Sequence, residues 1–240
     1  MLQGLAIILF SAGAGACILL GAALARMERL RPHWLEREFR HFVIAFGGGI
    51  LLGAVAVVLV PEGRAQMDDS VWAVPLVLAG GGVFFVVERA LGLRRRESPQ
   101  LMGMILDYVP EAIALGGMVA TGSPSAALLA VLIGLQNLPE GFNSYRELAS
   151  HGGRSPKTIL RTMAWLVPLG PLAGLLGFFF LAEQPALMGA IMLFASGGIL
   201  YLLFQELAPQ SRLDKHWAPP LGAVFGFCLA LLGDLLLAHA

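Results

Sequence analysis

The chain is written in long apolar runs separated by short polar links. A helix needs roughly 20 apolar residues to cross about 30 Å of hydrocarbon, and runs of that kind recur along the whole chain. They fall at about Leu2 to Ala25, His41 to Pro61, Val71 to Val87, Leu101 to Ala120, Ser125 to Ala149, Thr158 to Leu181, Pro185 to Ala208 and Ala218 to Ala238. The links between them are too short for a soluble domain. The pattern predicts an all-α integral membrane protein, one transmembrane domain over residues 1–240 with eight spans.

Composition agrees. Hydrophobic residues make up 57% and charged residues 13% of the chain, with a mean hydropathy of +0.76. A soluble domain averages roughly 45–50% apolar and 25% charged. The net charge of zero hides an asymmetry: fifteen of the sixteen Lys and Arg lie at or in alternate links, and only Arg64 falls on the other side. By the positive-inside rule the first, third, fifth and seventh links face the cytoplasm, so both termini are expected outside. The first run has no basic residue before it and a basic cluster after it, the reverse of a secretory signal, so it is expected to remain as a span. The basic residues sit at the membrane surface, and no nucleic-acid partner is expected. Cys17 and Cys228 both fall in apolar runs and read as small hydrophobes.

The fourth run departs from this simplicity. Leu106 to Gly117 reads LDYVPEAIALGG, with two carboxylates and a proline where the bilayer penalises all three. A charged side chain near the bilayer centre costs about 2.5–3.5 kcal/mol on insertion scales, and proline removes a helix hydrogen bond. Eleven residues past the start of its span, Glu111 lies roughly 16 Å deep, close to the midplane. The fifth run carries LQNLPEGF, Leu135 to Phe142, which aligns with LDYVPEAI without a gap and runs in the opposite direction. Asp107 and Glu111 are four apart, as are Gln136 and Glu140, so each pair projects from one helix face. Pro110 and Pro139 should bend their helices and free the carbonyls of Leu106 and Leu135 beside the acids. Paired interrupted helices of this kind point to a transporter's binding site.

Asp107, Glu111, Gln136 and Glu140, with Asn137 one position round, bring oxygen donors together with no Lys or Arg among them. Three readings fit the spacing: a divalent cation, a proton relay through protonated carboxyls, or purely structural packing. Glu206, near the cytoplasmic end of the seventh span, is a further candidate on the same half as Asp107. At the outer end of the second span Glu62, Asp68 and Asp69 stand beside Arg64, as a metal entrance or as surface anchors. Glu88, beside Arg89, and Asp234 read as interfacial residues. His33, His41, His151, His216 and His239 all lie off the central helices, and no H-E-x-x-H motif suggests an intramembrane metalloenzyme.

These motifs carry a resemblance. Two P-E motifs in register on antiparallel central spans, within eight spans, resemble the ZIP (Zrt/Irt-like) family of divalent metal-ion transporters. The resemblance implies that Asp107, Glu111, Gln136 and Glu140 form the primary metal site. It places Tyr108, Asn137 and Glu206 where a second, adjacent site is often built. It also implies a homodimer, an elevator-like motion of spans one, four, five and six, and the plasma (inner) membrane as location. No permanently bound cofactor is implied; Zn, Mn, Fe or Cd would be cargo moving toward the cytoplasm. The chain departs from the family pattern at Asp107, usually histidine, at Tyr108, usually small and polar, and at Ala112, usually glycine. Tyr108 removes a ligand from the second site, so one well-formed site is expected. The all-oxygen set favours Mn²⁺ or Fe²⁺ more than an imidazole site does. The same departures also suit a non-transporting metal sensor or scaffold of the same fold.

Overall fold

The computed structural model describes residues 2–27, 33–91, 99–150, 153–214 and 216–239. Arg29, Arg31, Arg94, Arg95, Arg96, His151 and Lys215 lie outside the described residues, as does the side chain of His33. Among the described residues the regular structure is all helical, without strands, and turns or short irregular stretches join the helices.

Helix α1 spans Leu2–Met27. Helix α2 spans His33–Gly53 and continues through a π-helical segment, Ala54–Leu59, into Val60–Ala65. Then follow α3, Ala73–Leu91, α4, Pro99–Thr121, and α5, Ala126–Ser150. The sixth predicted run divides into α6, Pro156–Ala164, and α7, Leu169–Leu181, with a turn ending at Pro168 between them. Proline cannot donate its backbone bond to a continuing helix, which accounts for the break. Helix α8 spans Pro185–Leu202 and continues through a second π-helical segment, Leu203–Leu207, into Ala208–Ser211. Helix α9 spans Leu221–Ala238.

Seven of these segments are long and apolar enough to cross a membrane. Helix α5 is not among them, although its 25 residues suffice in length. Its lack of hydropathy has a structural cause: Gln136, Asn137, Glu140, Asn143 and Ser144 are all buried against other helices. By contrast α3 and α9 leave large apolar side chains such as Leu78, Val86, Phe225 and Leu236 on the outside, where lipid rather than protein would cover them. The free Cys228 also lies on that outer face, so it is not a core residue; Cys17 is half-buried.

The helices pair into two groups. Helices α1, α4, α5 and α6/α7 pack mainly on one another, as do α2 with α9 and α3 with α8. Close pairing follows from small residues. A Cβ on Gly141 would collide with the Ile18 backbone of α1, so α5 and α1 approach at backbone contact distance. The seam between the groups is lined by α2 and α8 on one side and by α4 and α5 on the other, and this is where the polar residues meet.

Candidate metal centre

Both proline motifs sit within uninterrupted helices: α4 continues through Pro110 and α5 through Pro139. The acids they carry are buried, Asp107 at 3% exposure, Glu111 at 0% and Glu140 at 8%. The structure joins these residues in two clusters rather than one. In the first, the Gln136 amide donates to Glu111 Oε2 at 2.5 Å, tying α5 to α4. In the second, the Asp107 and Glu140 side chains stand close enough to interact, with Glu206 within electrostatic reach of both.

The second cluster lines a cavity of about 20 Å³, room for about one water-sized particle. Its polar wall is Asp107, Glu140, Asn143 and Glu206, and its apolar wall includes Ile44, Met104 and Leu202. Glu206 reaches this wall because the π-helical segment Leu203–Leu207 resets the facing of α8. On the other side Gly103, one turn before Asp107, leaves space for it: a Cβ there would sit 2.5 Å from Glu206 Oε2.

The donor chemistry tests whether a cation fits. Asp107 Oδ1, Glu111 Oε1, Gln136 Oε1, Asn137 Oδ1, Glu140 Oε2, Asn143 Oδ1 and Glu206 Oε1 are all buried acceptors with no hydrogen-bond partner. An unmet buried polar atom costs about 1–3 kcal/mol. These acceptors stand with no Lys or Arg lining the cavity, an oxygen set of the kind that suits a divalent cation or a shared proton. Among the described residues, no three His, Cys, Asp or Glu are grouped tightly enough to hold a metal by themselves. Amide oxygens must therefore complete any shell.

Of the three positions expected to build a second site, Glu206 lines the cavity, whereas Tyr108 and Asn137 are engaged by α1. The Tyr108 hydroxyl donates to the Ser11 carbonyl of α1 at 3.0 Å. The Asn137 amide donates to the Ala14 carbonyl at 3.0 Å. Both residues fasten α1 to the motif helices.

At the far end of α4, Glu62 accepts a 2.7 Å hydrogen bond from Ser123 in the turn before α5. Asp68 and Asp69 both adopt left-handed backbone, with φ of 52° and 53°, and Asp69 pairs with Arg64 at 2.8 Å. From Gly103 to Ser123 is twenty residues, so this acidic group stands roughly 30 Å from Glu206 along the helix axis. Glu88, read from the sequence as an interfacial partner of Arg89, accepts hydrogen bonds from Tyr201 and Gln205 of α8. His216 pairs with Glu38, whereas His41 and His239 contact backbone carbonyls one turn earlier in their own segments, Arg37 and Leu235. Asn143 was not singled out by sequence reasoning. Its signal was present, since it continues the Gln136 and Glu140 spacing by three.

No family model matches the chain. Over 138 residues it is 31% identical to the "Zinc transporter GufA" of Myxococcus xanthus, an alignment covering 56% of this chain and 54% of the relative. The chain thus spans about half the length of the curated relative it matches. The similarity is to a transporter rather than to an enzyme.

Proposed function

We propose that this chain is a transporter of the ZIP kind, a reading supported by its paired motifs and by its likeness to that relative, and that it moves divalent transition-metal ions across the membrane toward the cytoplasm. The observation that carries the reading is the set of buried, unpartnered oxygens on the two proline-bearing helices. A divalent ion engages Glu111, Gln136, Asp107 and Glu140 at the midplane, drawing on amide as well as carboxylate oxygens. Glu206 accepts it toward the cytoplasm. In this reading α5 is the eighth span despite its polarity, since its polar side chains face protein rather than lipid. Both termini lie outside, and the protein sits in the plasma (inner) membrane as a homodimer.

The two helix groups supply the two bodies that alternating access requires. Helices α1, α4, α5 and α6/α7 carry the site and slide against α2, α3, α8 and α9. Glu62, with Asp68 and Asp69, gathers ions at the outer mouth. The relative's name supports zinc as cargo. Carboxylate and carbonyl donors also suit manganese and iron, so these ions compete.

Uptake into sealed proteoliposomes of Zn²⁺, Mn²⁺, Fe²⁺, Cd²⁺ and Mg²⁺, with Glu140→Ala as control protein, tests the reading. Saturable flux of a transition metal, lost in the control, is the expected result. Folded protein in tight vesicles that binds metal but moves none would support a sensor or scaffold instead, a role that fits the diversion of Tyr108 and Asn137 toward α1.

A further inference from the structure

Asn143 is 3% exposed, and its side-chain oxygen has no partner. It lines the cavity shared by Asp107, Glu140 and Glu206. Gln136, Glu140, Asn143 and the half-buried Glu147 recur every three or four residues along α5, so they form one stripe with an oxygen at each turn, about 5.4 Å apart. The stripe leads from the Glu111–Gln136 pair toward Glu206, which lies within electrostatic reach of Glu147.

We infer that Asn143 is a metal ligand, completing with Glu206 an adjoining site that shares Asp107 and Glu140 with the midplane site and through which a divalent cation leaves toward the cytoplasm. This inference rests on the transporter reading. Four side chains from α4, α5 and the π-helical segment after α8 then line one small cavity of about 20 Å³. The three carboxylates, which are not grouped tightly enough to hold a metal by themselves, supply charge, and Asn143 supplies a further oxygen without adding any. A neutral donor suits a site of passage, because a conducted ion must bind well enough to enter and weakly enough to leave.

A thiol placed at position 143 reports on the site directly. The test uses full-length protein in detergent with Cys17→Ala and Cys228→Ala, the other two thiols, and the probe is Cd²⁺. Asn143→Cys should develop the ultraviolet charge-transfer band of a cadmium–thiolate bond at one ion per chain. Adding Glu206→Gln should weaken that band's cadmium affinity by about tenfold, the scale on which losing a metal-site group acts. No band in a folded Asn143→Cys protein, while its parent still takes up Cd²⁺ in vesicles, overturns the inference and leaves the transporter reading standing. A parent that neither binds nor moves any divalent ion overturns both.

Should the cysteine variant fail to fold, Asn143→Asp and Asn143→Ala decide. Asp should lower both the KM and the maximal rate of Cd²⁺ uptake, holding the ion more tightly on its way out. Ala should weaken Cd²⁺ binding by about tenfold. Binding and uptake unchanged in both variants would rule Asn143 out as a ligand.

Discussion

Asp107 and Glu111 stand one turn apart on α4 yet meet different partners, Glu140 at the cavity beside Glu206 and Gln136 one turn away. Gln136→Leu separates the second of these contacts. It strips a buried carboxylate oxygen of its donor, a loss of about 1–3 kcal/mol. Thermal unfolding in detergent should show that destabilisation, and metal binding should weaken alongside. Tyr108→Phe removes only the hydroxyl donated to Ser11. It should lower stability by about 0.5–1.5 kcal/mol while zinc uptake stays within about twofold, because Tyr108 fastens α1 and faces away from the cavity. A large fall in uptake with unchanged stability would return Tyr108 to the metal path. At this scale the sequence marked out Asp107, Glu111 and Glu140, which are all buried, and expected them to share one site. It did not reveal their pairing, since helical spacing assigns a face but not the rotation that chooses which residue across the seam is met.

At the scale of elements, two glycines offer a contrast between side-chain and backbone crowding. Gly103→Ala presses on the tip of Glu206, which can move aside. Helix propensity gains up to about 1 kcal/mol from the change. The expected outcome is unchanged or higher thermal stability with a severalfold higher KM for uptake. Gly141→Ala instead drives a methyl into the Ile18 backbone, which has no flexible end to displace. It should cost several kcal/mol, the upper range for overpacking, and show as poor expression and early unfolding. The gapless repeat of LDYVPEAI and LQNLPEGF made both central helices legible. The π-helical segments at Ala54–Leu59 and Leu203–Leu207 were not, because they are set by packing across the seam. That is why Glu206 could be named from sequence while its contact with Gly103 could not.

For the whole molecule, the hydrogen bond from Ser123 to Glu62 spans the seam at the outer end. If the two groups slide during transport, a Glu62→Cys/Ser123→Cys pair bridged by a short bifunctional thiol reagent should stop uptake. Reductant should restore it when the bridge contains a disulfide. Continued uptake through the bridged protein would sink the sliding mechanism. The sequence by itself determined that the chain is helical and membrane-bound, and that its costly polar residues lie on two antiparallel motifs, because hydropathy and helical period are local properties. Only the tertiary structure decided that those residues divide into a Glu111–Gln136 pair and a cavity walled by Asp107, Glu140 and Glu206, that Asn143 belongs to the latter, and that Tyr108 and Asn137 bond to α1. The physical reason is that contact across a helix seam depends on the rotation and close approach of whole helices, which small residues and π-helical turns establish together rather than one segment at a time.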